Sequence, residues 1–156
     1  MENVLTVASY INNRYQQEFG SRIDEMKLHK LMYFAQRESL IQNGEPLFDA
    51  QFQGWKYGPV LKELRGVYQN DAFEAEVSEE AAAHMKPVMD RVFADYAQKD
   101  SWSLSRLTHG EISWRNSRKG VAPVESSDVT MALADIRRDA VRMKERREML
   151  DSYGLL

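Results

Sequence analysis

The sequence predicts a mainly α-helical protein, a single compact domain of about six or seven helices. Apolar residues recur at three- and four-residue spacing along most of the chain, which is the period of an amphipathic helix. Only one segment, near residues 47–57, alternates apolar and polar residues, and there we expect a short extended stretch or hairpin. The chain has 156 residues, of which 43% are hydrophobic and 29% charged, as in an ordinary globular domain with one core. We therefore expect residues 1–156 to form one domain.

The first two helices are predicted from their apolar stripes and from the residues at their ends. The first covers residues 3–18 and stops before Gly20. The second covers residues 25–42, between Asp24 as N-cap and Gly44 as the left-handed residue that ends it. Because apolar residues nearly encircle this second helix, we expect it to lie at the centre of the fold.

Glycine and proline punctuate the middle of the chain. Gly58 followed by Pro59 predicts the start of a helix, because the fixed φ of proline suits the first helical position. Residues 69–80 are acidic and poorly periodic, which indicates a connecting loop. A further helix follows Ser78, with Pro87 either as a kink or in the first turn of a helix that starts later, near Lys86.

The last third of the chain predicts three more helices. Asp100 or Ser101 can cap a short one. Thr108 and Glu111 have the spacing of a capping box, so we expect Thr108 to be the N-cap of the next helix. The longest helix is predicted over residues 128–151.

The composition argues against several kinds of site. No cysteine is present, which excludes disulfides and thiolate chemistry. His29, His84 and His109 are far apart without a metal-binding spacing, and no phosphate-binding glycine motif occurs. We therefore expect neither a metal nor a cofactor. The chain lacks an apolar run of membrane-spanning length and has an acidic residue, Glu2, near its start, so we expect a cytoplasmic protein without a membrane partner.

Aromatic and basic residues are the candidates for binding a partner. Trp55 and Tyr57 lie in the irregular segment, and Trp and Tyr dominate both small cores and interface hot spots. Arg142 and Arg146 belong to a basic stretch in the last helix. The net charge of −3, and the acidic residues within that basic stretch, argue against binding to nucleic acid. We expect a protein partner for these four residues.

Two alternatives stay open at this stage. Thr108, His109 and Glu111 could form the centre of a small hydrolase-like enzyme, although neighbours in sequence rarely face each other as nucleophile and base. A nucleic-acid-binding module would instead use the basic last helix. We favour a structural role for the Thr108 cluster and a core position for Trp114.

Two longer segments carry a family resemblance. Residues 27–68 contain KLMYFAQ and WKYGPV, and residues 101–118 contain LTHGEISW. The motif residues are Lys30, Leu31, Tyr33, Ala35, Gln36, Pro46, Leu47, Trp55, Tyr57, Gly58, Pro59, Val60, Leu107, Thr108, His109, Glu111 and Trp114. In order and spacing the two segments resemble the Panacea domain, also called the SocA-like or GepA-like antitoxin domain. Ser113 departs from the pattern, because typical members have proline there.

The resemblance implies a mainly helical antitoxin that neutralises a cognate protein toxin encoded beside it. Some members are thought to act by direct binding, whereas a SocA-type member is an adaptor that delivers its toxin to the ClpXP protease, and both routes stay open. The family prescribes no catalytic residue, so we expect a non-enzymatic protein whose motif residues, apart from Trp55 and Tyr57, are structural. The sequence does not indicate an oligomeric state.

Overall fold

The structure, a computed structural model, describes residues 1–155 of the chain. This range contains seven α-helices and one two-stranded hairpin, which confirms the predicted mainly α fold. The elements are α1 (Val4–Phe19), α2 (Glu25–Asn43), β1 (Gln53–Trp55), β2 (Gly58–Val60), α3 (Glu63–Gln69), α4 (Glu79–Val92), α5 (Ser101–His109), α6 (Ile112–Ser117) and α7 (Leu133–Ser152). Within residues 1–155, none of these helices combines the length and the apolar character needed to cross a bilayer.

Helix α2 is the centre of the fold, as predicted. It packs against α1, α4, α5, α7 and β2, and every residue from Lys27 to Leu40 is buried. Its ends follow local capping rules: the Asp24 side chain accepts a hydrogen bond from the Lys27 amide at 2.8 Å, and Gly44 has a φ of 71°. Because the helix is enclosed on all sides, its polar side chains need partners from other elements.

The predicted helix start at Pro59 is wrong, because this residue lies in β2. The strands pair antiparallel, with Pro59 opposite Gly54, and the next helix begins only at Glu63. Gly58 has a φ of 118°, which suits a turn and not a helix. The pairing with β1 therefore overrides the local preference of a Gly-Pro step.

Helix α4 begins directly after Ser78, as predicted. The Ser78 hydroxyl accepts a hydrogen bond from the Ala81 amide at 3.1 Å and so caps the helix. Pro87 lies inside this helix, so the alternative start near Lys86 is wrong. The helix continues into a π-helical turn, Phe93–Ala97.

The predicted start of the last helix at residue 128 is also wrong. The amide of Gly54 donates to the Val129 carbonyl at 2.9 Å, and the amide of Met131 donates to the Phe52 carbonyl at 2.8 Å. The residues before α7 therefore run alongside β1 in an extended conformation, and α7 starts only at Leu133.

Candidate partner-binding site

A cavity of about 450 Å³ opens between α2, the hairpin and the loop before α7. Its volume lies within the range of roughly 300–1,000 Å³ that is typical of ligand sites. Five residues of the sequence motifs line it, namely Lys30, Trp55, Tyr57, Gly58 and Val60. The fold thus brings together residues of the central helix and of the hairpin turn.

Lys30 projects from α2 and is only 2% exposed. Its Nζ donates one long hydrogen bond, 3.4 Å, to the Pro59 carbonyl, and no carboxylate of residues 1–155 lies within ion-pair distance. Burial lowers its pKa to about 8, and the negative charges of Asp24 and Glu25 only partly oppose this shift. A residue of the cavity wall therefore carries a buried ammonium group with unused donors.

Gly58 allows the hairpin to lie directly on Lys30. A Cβ atom at this position would lie 2.6 Å from Thr108 Oγ1 and 2.8 Å from Lys30 Cε. The turn is fixed from the other side by Ser105, whose hydroxyl donates to the Tyr57 carbonyl at 2.7 Å. Glycine suits position 58 for two reasons: the backbone there lies too close to Lys30 and Thr108 for a side chain, and its φ is positive.

Tyr57 and Trp102 form an exposed aromatic pair at the rim of the cavity. Their rings meet edge to face with 5.1 Å between centroids, and the residues are 44% and 54% exposed. Sequence reasoning missed Trp102 as a surface residue. Trp102 is exposed because the buried side of α5 consists of Leu104, Ser105 and Thr108, and the apolar pattern did not reveal this, since Leu107 is exposed as well.

Trp55 is a half-buried wall of the cavity. Its indole N–H donates to Gln53 Oε1 at 3.0 Å, and the Arg65 guanidinium lies 5.2 Å from the ring. The Trp55 carbonyl accepts a hydrogen bond from the Trp114 indole at 2.8 Å. Trp114 packs against the core while remaining partly exposed, and this bond ties α6 to the hairpin.

Within residues 1–155, no side-chain hydrogen bond joins Thr108, His109 and Glu111; only the Glu111 amide donates to the Thr108 carbonyl, at 3.0 Å. The Thr108 hydroxyl donates to the Ser105 carbonyl of its own helix at 2.7 Å. The His109 ring stacks on Trp114 at 4.0 Å, and its Nε2 has no partner among the described residues. Burial lowers the pKa of His109, with a further contribution from the nearby positive charge of Lys30. The three residues therefore do not form a nucleophile, base and orienting carboxylate.

Glu111 belongs to a buried polar network on α2. Its carboxylate accepts from Arg37 at 2.9 Å and lies 2.6 Å from the Tyr33 hydroxyl, which is also 3.0 Å from Asp139 Oδ2. Burial raises the pKa of Tyr33 well above its ordinary value, and the two carboxylates add to that shift. One protonated hydroxyl is thus shared between two carboxylates.

The predicted capping box is wrong, because Asp139 of α7 caps α6 instead. Its carboxylate accepts from the amides of Ile112 and Ser113 at 2.6 and 3.0 Å. Thr108 lies in the last turn of α5, and Glu111 makes no capping hydrogen bond. The cap comes from a residue far along the chain, which spacing rules cannot detect.

The remaining motif residues on α2 and α5 have different environments. Leu31 and Ala35 are fully buried, while Leu107 is largely exposed. Gln36 accepts from the Leu47 amide at 2.7 Å and donates to the Phe48 carbonyl at 2.9 Å. Gln36 therefore positions the segment that leads to the hairpin.

The two candidate arginines do not line the cavity. Arg142 donates to the Gly110 carbonyl at 2.7 Å and lies 3.7 Å from Asp139. Arg146 is exposed, and its side chain makes no hydrogen bond or ion pair to residues 1–155. The four predicted partner-binding residues thus divide between the cavity, with Trp55 and Tyr57, and α7.

Comparison with known proteins identifies the family of the chain. The sequence model of the family described as "Antitoxin SocA-like, Panacea domain" matches residues 28–115, more than half of the chain. Antitoxin SocA of Caulobacter vibrioides (strain NA1000 / CB15N) is 45% identical over 38 residues, which cover 24% of this chain and 20% of that protein. No solved structure matches the chain at a significant level. The match spans α2, the hairpin and the α5–α6 segment, and the chain belongs to the SocA-like antitoxin, Panacea domain, family.

Proposed function

We propose that this protein is an antitoxin that neutralises a cognate protein toxin in the cytoplasm by binding it directly. Family membership and the likeness to antitoxin SocA support the antitoxin role. The proposed toxin-binding surface is based on the exposed aromatic pair, Tyr57 and Trp102. Its residues have the chemistry of interface hot spots, in which Trp and Tyr are enriched.

The aromatic pair is held in place before any partner binds. The Tyr57 backbone is fixed by Ser105, and its ring lies 5.0 Å from the Lys56 ammonium. Trp102 lies in the first turn of α5, whose start is capped by Asp100. A preorganised aromatic surface loses little conformational entropy on binding, so more of the contact energy contributes to affinity.

The test uses the product of the adjacent gene as the candidate toxin. We expect the wild-type chain to co-elute with it and to restore growth when the two are co-expressed. The double variant Tyr57→Ala, Trp102→Ala should bind at least about 30-fold more weakly, since hot-spot residues contribute ~2 kcal/mol or more. Its thermal unfolding should barely change, because both side chains are largely exposed.

Tyr153→Ala is the matched control, because Tyr153 is an exposed aromatic residue just after α7. It should bind the toxin like the wild type. A wild-type chain that leaves the neighbouring protein unbound and toxic would refute the proposal. Toxin half-life in cells with and without ClpX separates the two routes, because only delivery to ClpXP requires the protease for neutralisation.

A further inference from the structure

We infer that the cavity beside Lys30 receives a carboxylate group of the toxin, and that the Lys30 ammonium is its ion-pair partner. The inference rests on the proposed function, because it names the chemistry of the toxin segment that enters beside the aromatic pair.

Lys30 differs from the other buried lysine of α2. Lys27, one turn earlier, donates to the Ala97 carbonyl at 3.0 Å and to the Tyr15 hydroxyl at 3.2 Å. Lys30 has only its 3.4 Å bond to the Pro59 carbonyl. A buried charge without a partner costs several kcal/mol, so buried ammonium groups are normally paired. Lys30 is therefore the group whose environment an incoming anion would complete.

The neighbouring carboxylate does not supply that partner. Glu25 also lines the cavity, but its Oε2 lies 3.1 Å from His29 Nε2 and 3.1 Å from Arg65 Nε. Its Oε2 is thus already hydrogen-bonded to the His29 ring, whose pKa is lowered by burial, and ion-paired with the Arg65 guanidinium. Lys30 keeps its positive charge at neutral pH, since its lowered pKa is still about 8. An anion entering the cavity therefore meets a cation without competition from a bound carboxylate.

The cavity favours a monoanion with an apolar stem. Its lining holds three cationic residues, Lys30, Lys56 and Arg65, against two carboxylates, Glu25 and Asp128, and this small positive excess matches a monoanion better than a doubly charged phosphate. Met26 and Trp55 provide apolar walls for the stem of a side chain. A carboxylate, either an Asp or Glu side chain or a chain terminus, fits this combination. Tyr57 belongs to both the cavity and the aromatic pair, so one toxin segment can contact both.

The first experiment measures toxin affinity by calorimetry for the wild type, Lys30→Met and Lys27→Met. We expect Lys30→Met to weaken binding at least about 30-fold, because removing one partner of a buried ion pair has a large cost. Lys27→Met removes the same charge from the same helix outside the cavity and should bind as tightly as the wild type. Equal affinity of Lys30→Met and the wild type would overturn the inference.

The second experiment needs neither the toxin nor a variant. Phenylacetate should raise the thermal midpoint of the wild-type chain in a saturable way, whereas 2-phenylethanol, which lacks the carboxylate, should not. Equal effects of both probes, or no effect of phenylacetate, would overturn the inference. If phenylacetate stabilises the chain but the toxin does not bind at all in the first experiment, the proposed function fails and the cavity takes a free carboxylic acid, so the toxin carboxylate is refuted as the occupant.

Discussion

The polar side chains of α2 each hold a different part of the chain. His29 Nδ1 accepts a hydrogen bond from the Leu61 amide at 3.1 Å, which fixes the end of the hairpin. Gln36 holds the segment before the hairpin, and Arg37 reaches Glu111 at the start of α6. These contacts replace water around an enclosed helix and position the elements around the cavity. Lys30 is the exception, because its single long bond holds it only weakly.

The lowered pKa of Lys30 predicts a stability that rises with pH in the alkaline range. Its pKa is about 8 in the folded protein, against an ordinary value of 10.5. Between these values the unfolded chain still binds a proton that the folded chain has released, so unfolding becomes less favourable as pH rises. Below pH ~8 both states are protonated and the slope disappears. We expect a contribution of up to about 1.4 kcal/mol per pH unit within this window.

Urea unfolding at several pH values between 7 and 10 measures this contribution as the difference between the wild type and Lys30→Met. Glu25, His29 and His109 also face this region, but their pKa values are lowered and their titrations therefore fall below the window. Lys27→Met serves again as the control and should leave the slope of the wild type in place. A pH-independent difference between the wild type and Lys30→Met would contradict the prediction.

At the scale of elements, the sequence correctly predicts those helix ends that depend on residues close by in the chain. Asp24 caps α2, Asp100 caps α5 and Gly44 ends α2, and each acts within one helical turn of its own position. These local signals, together with the apolar period, suffice for the number and approximate bounds of most helices. The π-helical turn Phe93–Ala97 has no such signal.

The wrong predictions concern residues whose hydrogen-bond partner comes from a distant segment of the chain. Glu111 has the right spacing for a capping box, but its carboxylate is turned into the core toward Arg37, and Asp139 takes the capping role. Pro59 has the right type for a helix start, but pairing with β1 holds it extended. The same limit applies to the site: the motif identifies Lys30, yet its lack of a carboxylate partner is a property of the packed fold.

Gly58 offers a test of how closely the hairpin lies on α2. Gly58 and Gly44 both have positive φ, but a Cβ at Gly44 would meet nothing within 4 Å. Gly44→Ala should therefore cost only the backbone strain of ~1–2 kcal/mol. Gly58→Ala should cost about 3 kcal/mol or more, because overpacking against Thr108 and Lys30 is added to the strain. Urea denaturation of both variants measures the difference, and equal costs would show that the turn can move away from α2.

At the scale of the whole molecule, the fold extends beyond the region that matches the family. The match ends at residue 115, yet Asp139 of α7 caps α6. Arg147 of α7 pairs with the buried Glu38 of α2 at 2.7 Å. Both contacts provide partners for polar groups within residues 28–115, namely the amides at the start of α6 and the Glu38 carboxylate. We propose that α7 is an integral part of one domain with the matched region.

Removing α7 tests this proposal. A chain that ends at Met131 loses the carboxylate that caps α6 and leaves Glu38 without Arg147, its ion-pair partner. A buried charge deprived of its partner typically costs ~3–5 kcal/mol, a large part of the ~5–15 kcal/mol that stabilises a domain. The cut also exposes the apolar surface that Ile136 and Ala140 cover. We therefore expect this chain to lose its cooperative thermal transition in calorimetry, whereas a chain ending at Ser152 should unfold in one transition like the full chain. Cooperative unfolding of the shorter chain near the midpoint of the full chain would instead make α7 a dispensable appendage, because its buried contacts would then contribute little to the stability of the core.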